Sequence, residues 1–187
     1  MDPIKDNSRE MRKEFFAFRN GIVADKLRKA GDPHPVMMGC LLVDIQAIAQ
    51  RHRQAISDKG QLATLAQELW EDTKSRECRL AAPMLYPPEM MTLEEARQWC
   101  STVETVEVAD NMCHKLLRHI PEADALFRQL IAHDSPLVKY TGYRLMLNLI
   151  MTGRVQPTEQ LQTIVHNEAK QAQSPLASLL KDIEEEF

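Results

Sequence analysis

Apolar residues recur at intervals of three and four positions along most of the chain, which is the spacing of one buried face of an α-helix. The first such stretch predicts a helix from about Ser8 to Ala30, which ends where Gly31 allows the chain to turn. The next predicts a helix over Leu41–Ile56, followed by a break at Asp58-Lys59-Gly60. No stretch alternates apolar and polar residues between hairpin turns, so we predict more than about 60% helix and no β-sheet.

Capping residues predict where several later helices begin. Thr92-Leu93-Glu94-Glu95 has the order of a capping box, in which the Thr hydroxyl and the Glu carboxylate each accept a hydrogen bond from the other residue's backbone amide. Ser101-Thr102-Val103-Glu104 repeats that order. Proline is well tolerated at the first helical position because no N–H is needed there. This predicts further helix starts at Pro121, at Ser135-Pro136 and at Ser174-Pro175.

These boundaries give about ten helices that follow one another in pairs of roughly 30 residues, joined by short polar segments. Each helix is apolar on one broad face, and the recurring period favours stacked hairpins over a closed bundle. We therefore predict an all-α protein, an α-α superhelix of HEAT-like helical hairpins. Its length of 187 residues fits one domain over residues 1–187.

Composition changes this picture little, but it restricts the partners. The chain has only six glycines and 5% aromatic residues, and its net charge is −4. The charge is uneven, with a net +2 over residues 1–58 and −6 over residues 59–187. A protein that holds nucleic acid over its whole surface carries a positive excess, so DNA binding here would need a local basic patch.

Signals for secretion, membrane insertion and bound metal are missing from the sequence. The charged N-terminus has no apolar h-region, and no apolar run reaches the roughly 20 residues that span a membrane. We expect a cytoplasmic protein that makes no membrane contact. The four cysteines lack the close pairing of a zinc site, and we expect them to be buried thiols. There is no phosphate-binding glycine loop, so we expect neither a metal nor a cofactor.

Two sets of charged residues are candidates for a site. Four cations occur in pairs three residues apart on predicted helices and could form a strip that follows DNA phosphates: Arg76, Arg79, Lys115 and Arg118. Solvated helix faces would show the same spacing. Glu104, Glu107 and Asp110 form an acidic stripe that could raise a carboxylate pKa for acid–base chemistry. Acidic residues in a first helical turn also simply favour the helix dipole.

Four stretches of the chain carry a family resemblance: Phe18–Gly31, Gly39 with Leu42–Ala49, Leu69-Trp70 with Glu77–Ala81, and Val103–Asp110. Over roughly residues 15–150 they resemble the HEAT-like DNA alkylation repair family, the AlkD-like glycosylases and their relatives. In that family a carboxylate stabilises the positive sugar that forms as an alkylated base departs. Aromatic rings and an arginine hold the DNA around the lesion.

The resemblance implies a role for particular residues. Asp110 stands where the family has its carboxylate, whereas Val106 replaces a tryptophan four residues earlier. Tyr140 stands where the arginine is expected, in the helix after Pro136. Ser174-Pro175-Leu176-Ala177 stands where another tryptophan belongs. With one key group present, the resemblance implies a divergent member that binds double-stranded or damaged DNA without catalysis.

Two alternative functions stay open at this point. One is an active alkylpurine DNA glycosylase that uses Asp110 with rearranged aromatic residues such as Tyr140 and Tyr143. The other is a scaffold for a protein partner, which the acidic net charge favours. The sequence identifies neither a lesion nor a partner protein.

Overall fold

The computed structural model describes residues 3–187, and 71% of it is helical. The prediction of an all-α fold is confirmed, and no β-strand occurs among the described residues. The chain divides into two compact units, residues 1–91 and 92–187. The prediction of a single domain over residues 1–187 stays a prediction.

Over residues 3–91, the described part of the first unit, the chain forms five α-helices, which are joined by short turns except for a longer segment after the second. They are α1 (Pro3–Ala17), α2 (Gly21–Lys29), α3 (Leu42–Ala55), α4 (Lys59–Glu71) and α5 (Arg76–Leu85). A 3-10 turn, Pro88–Met90, follows α5. Packing joins α1 to α3 and α4, and α5 to α3 and α4. All ten residues of α5 are buried, so this helix is the centre of the core.

The second unit contains six α-helices and one 3-10 turn, Leu117–His119. They are α6 (Leu93–Ser101), α7 (Val106–Lys115), α8 (Ala123–Ile131), α9 (Pro136–Met151), α10 (Glu159–Ala169) and α11 (Leu176–Glu184). Neighbouring helices pack as the pairs α8–α9 and α10–α11. Contacts also join three pairs of alternate helices, α6 to α8, α7 to α9 and α9 to α11. This order of contacts is that of stacked helical repeats.

The predicted helix from Ser8 to Ala30 is wrong in one respect, because the chain breaks at Phe18–Asn20 and forms α1 and α2. The Asn20 side chain caps α2 by accepting a hydrogen bond from the amide of Val23 at 3.2 Å. The amide of Asn20 donates to the carbonyl of Met38 at 2.8 Å. The break between α1 and α2 is therefore stabilised by a hydrogen bond to Met38, a residue distant in sequence.

The cap predictions had mixed outcomes. The capping box at Thr92 and Glu95 is present at the start of α6, and Ser135 with Pro136 begins α9. The second box is wrong, because Ser101 is the last residue of α6 and Thr105 is the cap of α7. The helix predicted at Pro121 begins two residues later, and the one predicted at Pro175 begins at the next residue.

The four cysteines are free thiols and all are buried, as the sequence predicted. Burial raises the pKa of Cys40 to about 12 and that of Cys78 to about 11, so both thiols stay protonated. Within residues 3–187, no helix combines the length and the apolar character needed to cross a membrane.

Candidate functional site

Asp110 lies on α7 and is bound by two side chains of α9. Arg144 donates from Nε to Oδ1 at 2.7 Å and from Nη2 to Oδ2 at 3.3 Å, which is a bidentate ion pair. The Tyr140 hydroxyl donates to Oδ1 at 2.9 Å. Asp110 remains 37% exposed and Arg144 26% exposed, so the pair is accessible from solvent.

Local structure explains why these three side chains meet. Thr105 starts α7 by accepting from the amide of Val108 at 3.2 Å, and this places Asp110 in the second turn. Tyr140 and Arg144 are four residues apart, so they share one face of α9. Since α7 packs on α9, that face meets Asp110.

The family resemblance put Tyr140 where the arginine is expected, and Arg144 was not among the predicted site residues. The structure shows that α9 supplies both a tyrosine and an arginine to Asp110. The sequence does contain a signal for Arg144, because it is the one charged residue in the stretch Gly142–Met151, which is otherwise almost entirely apolar. A lone arginine in such a stretch needs a charged partner.

The electrostatics of the site favour a charged guanidinium. Burial alone would lower the pKa of Arg144, but the hydrogen bonds and negative charge of Asp110 raise it above its usual value. Burial, together with the charge of Asp110, raises the pKa of Tyr140 to about 12. Tyr140 therefore stays protonated and can donate its hydrogen bond at neutral pH.

Positive groups surround the C-terminal end of α7, one turn beyond Asp110. Burial lowers the pKa of His114, and the nearby charges of Arg118, Lys115, His119 and Arg144 lower it further. We call these five residues the basic cluster: His114, Lys115, Arg118, His119 and Arg144. Lys115 and Arg118 were predicted as DNA-binding residues, and they are half-buried at this surface.

Arg76 and Arg79 are not surface residues, which corrects the strip that the sequence suggested. They are 3% and 0% exposed. Arg76 donates to the carbonyl of Cys40 and to Glu77, both at 3.2 Å. Arg79 donates to the carbonyl of Trp70 at 2.7 Å, and its guanidinium lies 3.5 Å from the centre of that ring. Internal groups already hold both cations, so neither faces a DNA phosphate.

The structure revises two further predictions about the site, the acidic stripe and the role of Tyr143. The acidic stripe is shorter than predicted, because Glu104 precedes the first residue of α7 and only Glu107 and Asp110 lie on the helix. Tyr143 is buried with 1% exposure, and burial raises its pKa. It therefore acts as a core residue of α9 and does not face an incoming ligand.

A cavity of about 390 Å³ opens beside Tyr140. Its walls include Val106, Leu137, Tyr140, Ala172, Pro175 and Leu176. Across the part of the chain that the structure describes, no group of three His, Cys, Asp or Glu side chains could hold a metal ion. The chemistry available at the site is therefore that of Asp110, its two partners on α9 and the basic cluster.

The fold and site are those of an all-helical repeat protein with a carboxylate held by arginine at the edge of a basic surface. The profile of the DNA alkylation repair enzyme family matches residues 11–184, so the chain belongs to that family. Neither the curated proteins nor the solved structures yield a match. Membership supports a role in alkylation repair.

Proposed function

We propose that this protein binds alkylation-damaged DNA through the surface formed by Asp110 and the basic cluster, without excising the base. Lys115, Arg118 and Arg144 would hold phosphates on one side of the lesion. Asp110 would face the positive charge of the alkylated nucleotide. Family membership supports DNA as the partner.

The observation that carries this proposal is the convergence of cations around His114, one helical turn from Asp110. The chain as a whole has a net charge of −4, so this positive surface is a local feature. DNA binding depends on such local clusters, because each phosphate contact releases condensed counterions.

Base excision is the second candidate, and the carboxylate of Asp110 favours it because it remains accessible from solvent. A carboxylate beside a lesion can stabilise a positive sugar if the substrate is held within a few ångströms. Val106, however, offers no aromatic face one turn before Asp110, and Arg144 already binds both oxygens of Asp110. We therefore expect binding without measurable release of alkylated purines.

The test is a salt titration of duplex DNA binding by the full chain. Replacing Lys115 and Arg118 together by Gln should weaken binding and flatten the salt dependence by about one unit per lost phosphate contact. NMR titration supplies a second readout. The pKa of His114 should rise in this variant, and should also rise in the parent when DNA phosphates bind beside it.

The matched control replaces Arg97 and Arg128 by Gln, which removes the same charge from exposed residues of α6 and α8. These two arginines pair with Glu94 at 3.1 Å and Asp124 at 3.2 Å, and neither belongs to the basic cluster. DNA affinity should fall less in the control than in the cluster variant. Equal losses, or no DNA binding by the parent at low salt, would contradict the proposal, and the latter would favour a protein partner.

Excision is tested with alkylated duplex DNA and the parent protein beside Asp110→Asn. We expect both to release alkylated purines at the background rate. Release by the parent that disappears in Asp110→Asn would replace the binding function by a glycosylase function.

A further inference from the structure

The first unit exposes a group of large apolar side chains that its core does not use. Among the described residues, six of the nine large apolar side chains that stay exposed fall in two short segments, residues 16–22 and 41–43. We call these six the apolar patch: Phe16, Phe18, Ile22, Leu41, Leu42 and Val43. Their exposure ranges from 40% at Leu42 to 73% at Ile22. Single apolar residues are normal at a protein surface, whereas a contiguous group of them marks an interaction site.

The two segments that carry the apolar patch lie side by side in the fold. The Cys40 thiol donates to the carbonyl of Phe15 at 3.1 Å, and the amide of Asn20 donates to the carbonyl of Met38 at 2.8 Å. In addition, α1 packs on α3. These contacts hold the end of α1 and the start of α2 against the chain that enters α3. The patch is therefore one surface of the first unit and not two.

Cations border the apolar patch on the side of α2. The guanidinium of Arg19 lies 4.2 Å from the centre of the Phe16 ring, and it also donates to the carbonyl of Phe16 at 2.9 Å. Lys26 and Lys29 follow Ile22 by four and seven positions, so they continue its side of α2. All three cations are exposed. We call them the basic rim: Arg19, Lys26 and Lys29.

The carboxylates nearby do not neutralise the basic rim. Asp25 pairs with Arg28 at 3.1 Å, so this aspartate is already taken. Asp44, in the first turn of α3, is half-buried and leaves the balance positive. No ion pair within residues 3–187 includes a member of the rim. An apolar surface with a positive border is complementary to a partner that is apolar in the middle and negative around it.

We infer that the apolar patch and the basic rim dock an acidic amphipathic helix of a partner protein. Such a helix carries apolar anchors every three or four residues with carboxylates beside them, so it matches both parts of this surface at once. The planar guanidinium of Arg19 suits a carboxylate, and opposite charges at the rim steer the two partners together. The inference does not rest on the proposed function, because Asp110 and the basic cluster belong to the second unit.

Two other occupants match this surface less well. A second copy in a two-fold dimer would place the same patch on both sides of the interface, and the two basic rims would then repel each other. Anionic membranes are typically bound by clusters of about four to eight cations, whereas the rim consists of Arg19 and two lysines. Both occupants can be distinguished from an acidic helix by experiment.

The test measures fluorescence polarisation of a labelled synthetic helix in the presence of the full chain. The helix has Leu and Phe on one face and Glu elsewhere, and a comparison helix has Lys in place of Glu. The acidic helix should bind at least about tenfold more tightly than the basic one. Replacing Ile22 and Val43 together by Gln should weaken its binding by about tenfold or more, because two apolar anchors are lost. Met151→Gln, at a 65% exposed position of the second unit, is the matched control and should bind as the parent does.

A second variant separates the charge of the rim from the apolar contact. Lys26→Gln with Lys29→Gln should weaken binding of the acidic helix by about threefold and flatten its salt dependence. Lys170→Gln with Lys181→Gln removes the same charge from exposed positions of the second unit and should change neither quantity.

The variant with Gln at positions 22 and 43 should keep the circular dichroism spectrum and the duplex DNA affinity of the parent, because both replaced side chains are exposed. No binding of the acidic helix, equal binding of the two helices, or binding that survives this double substitution would each overturn the inference. A dimer of the parent in sedimentation that is lost in the variant would replace the helix by a second copy. Binding to phosphatidylserine vesicles without binding to the acidic helix would replace it by a membrane.

Discussion

Arg79 shows how a single charged residue can stabilise the interior of this protein. Its guanidinium covers the ring of Trp70 and donates to the carbonyl of the same residue at 2.7 Å. That carbonyl lies in the last turn of α4, where backbone acceptors have no partner within the helix and where the helix dipole favours a positive charge. Arg79 thus caps α4 from the neighbouring helix α5.

Replacing Arg79 by Gln should therefore lower the free energy of unfolding by about 2–4 kcal/mol, because a buried carbonyl loses its donor and the ring loses its cation. Urea unfolding measures the change. The control is Arg97→Gln, which removes an exposed ion pair and should cost less than about 1 kcal/mol. Two results would contradict this role and support the original prediction that Arg79 contacts DNA at the surface. One is a loss of unfolding free energy in Arg79→Gln no larger than in Arg97→Gln. The other is a flatter salt dependence of DNA binding in folded Arg79→Gln.

The segment before α3 is fixed by a close approach of backbone to backbone. Gly39 has φ of +73°, and its amide donates to the buried carboxylate of Glu77 at 2.9 Å. The amides of Met38 and Cys40 donate to the same carboxylate at 3.1 and 3.3 Å. A Cβ atom on Gly39 would lie 2.2 Å from the carbonyl oxygen of Asn20, so only glycine fits against α2.

Gly39→Ala should destabilise the protein by about 3 kcal/mol or more, since it adds a steric clash to the backbone strain. Gly31→Ala is a close control, because Gly31 also has a positive φ, +90°, but nothing lies within 4 Å of its added Cβ. It should cost about 1–2 kcal/mol. Thermal unfolding of both variants measures the difference. Equal melting temperatures would mean that backbone strain, and not the steric clash at Gly39, causes the loss of stability.

The same elements explain what the sequence could predict. Thr92 and Glu95 are three residues apart, so the start of α6 was encoded locally and was predicted correctly. The break before α2 depends on Met38, which the local pattern at Asn20 does not reveal. Asp110 was found through family resemblance, but its ion pair with Arg144 spans 34 residues and two helices. A single sequence does not report such contacts, and it also gave no warning that Arg76 and Arg79 are buried.

At the scale of the whole molecule, each compact unit relies on contacts between several of its helices. In the second unit, α11 packs on both α9 and α10, so the last helical pair covers an apolar face of the preceding one. Buried side chains of α11 contribute to that contact, namely Leu176, Leu179, Leu180 and Ile183. Terminal repeats have this covering role in stacked helical proteins.

Truncation after Thr152 should therefore lower the melting temperature of the remaining chain by about 5 °C or more, because it exposes the apolar side of α9. Circular dichroism at increasing temperature measures this. Truncation after Glu184, which removes only the residues beyond α11, should leave the melting temperature nearly unchanged. An unaltered transition after the longer truncation would show that α10 and α11 do not stabilise the repeat before them.

The positions of the two tryptophans have an optical consequence. Trp70 lies in the first compact unit and Trp99 in the second, and both are buried. Each unit therefore has its own intrinsic fluorophore, and a phenylalanine in place of either one leaves emission from the other alone. Comparing the two emission curves during denaturation would reveal whether the units melt together or in sequence, without any added label.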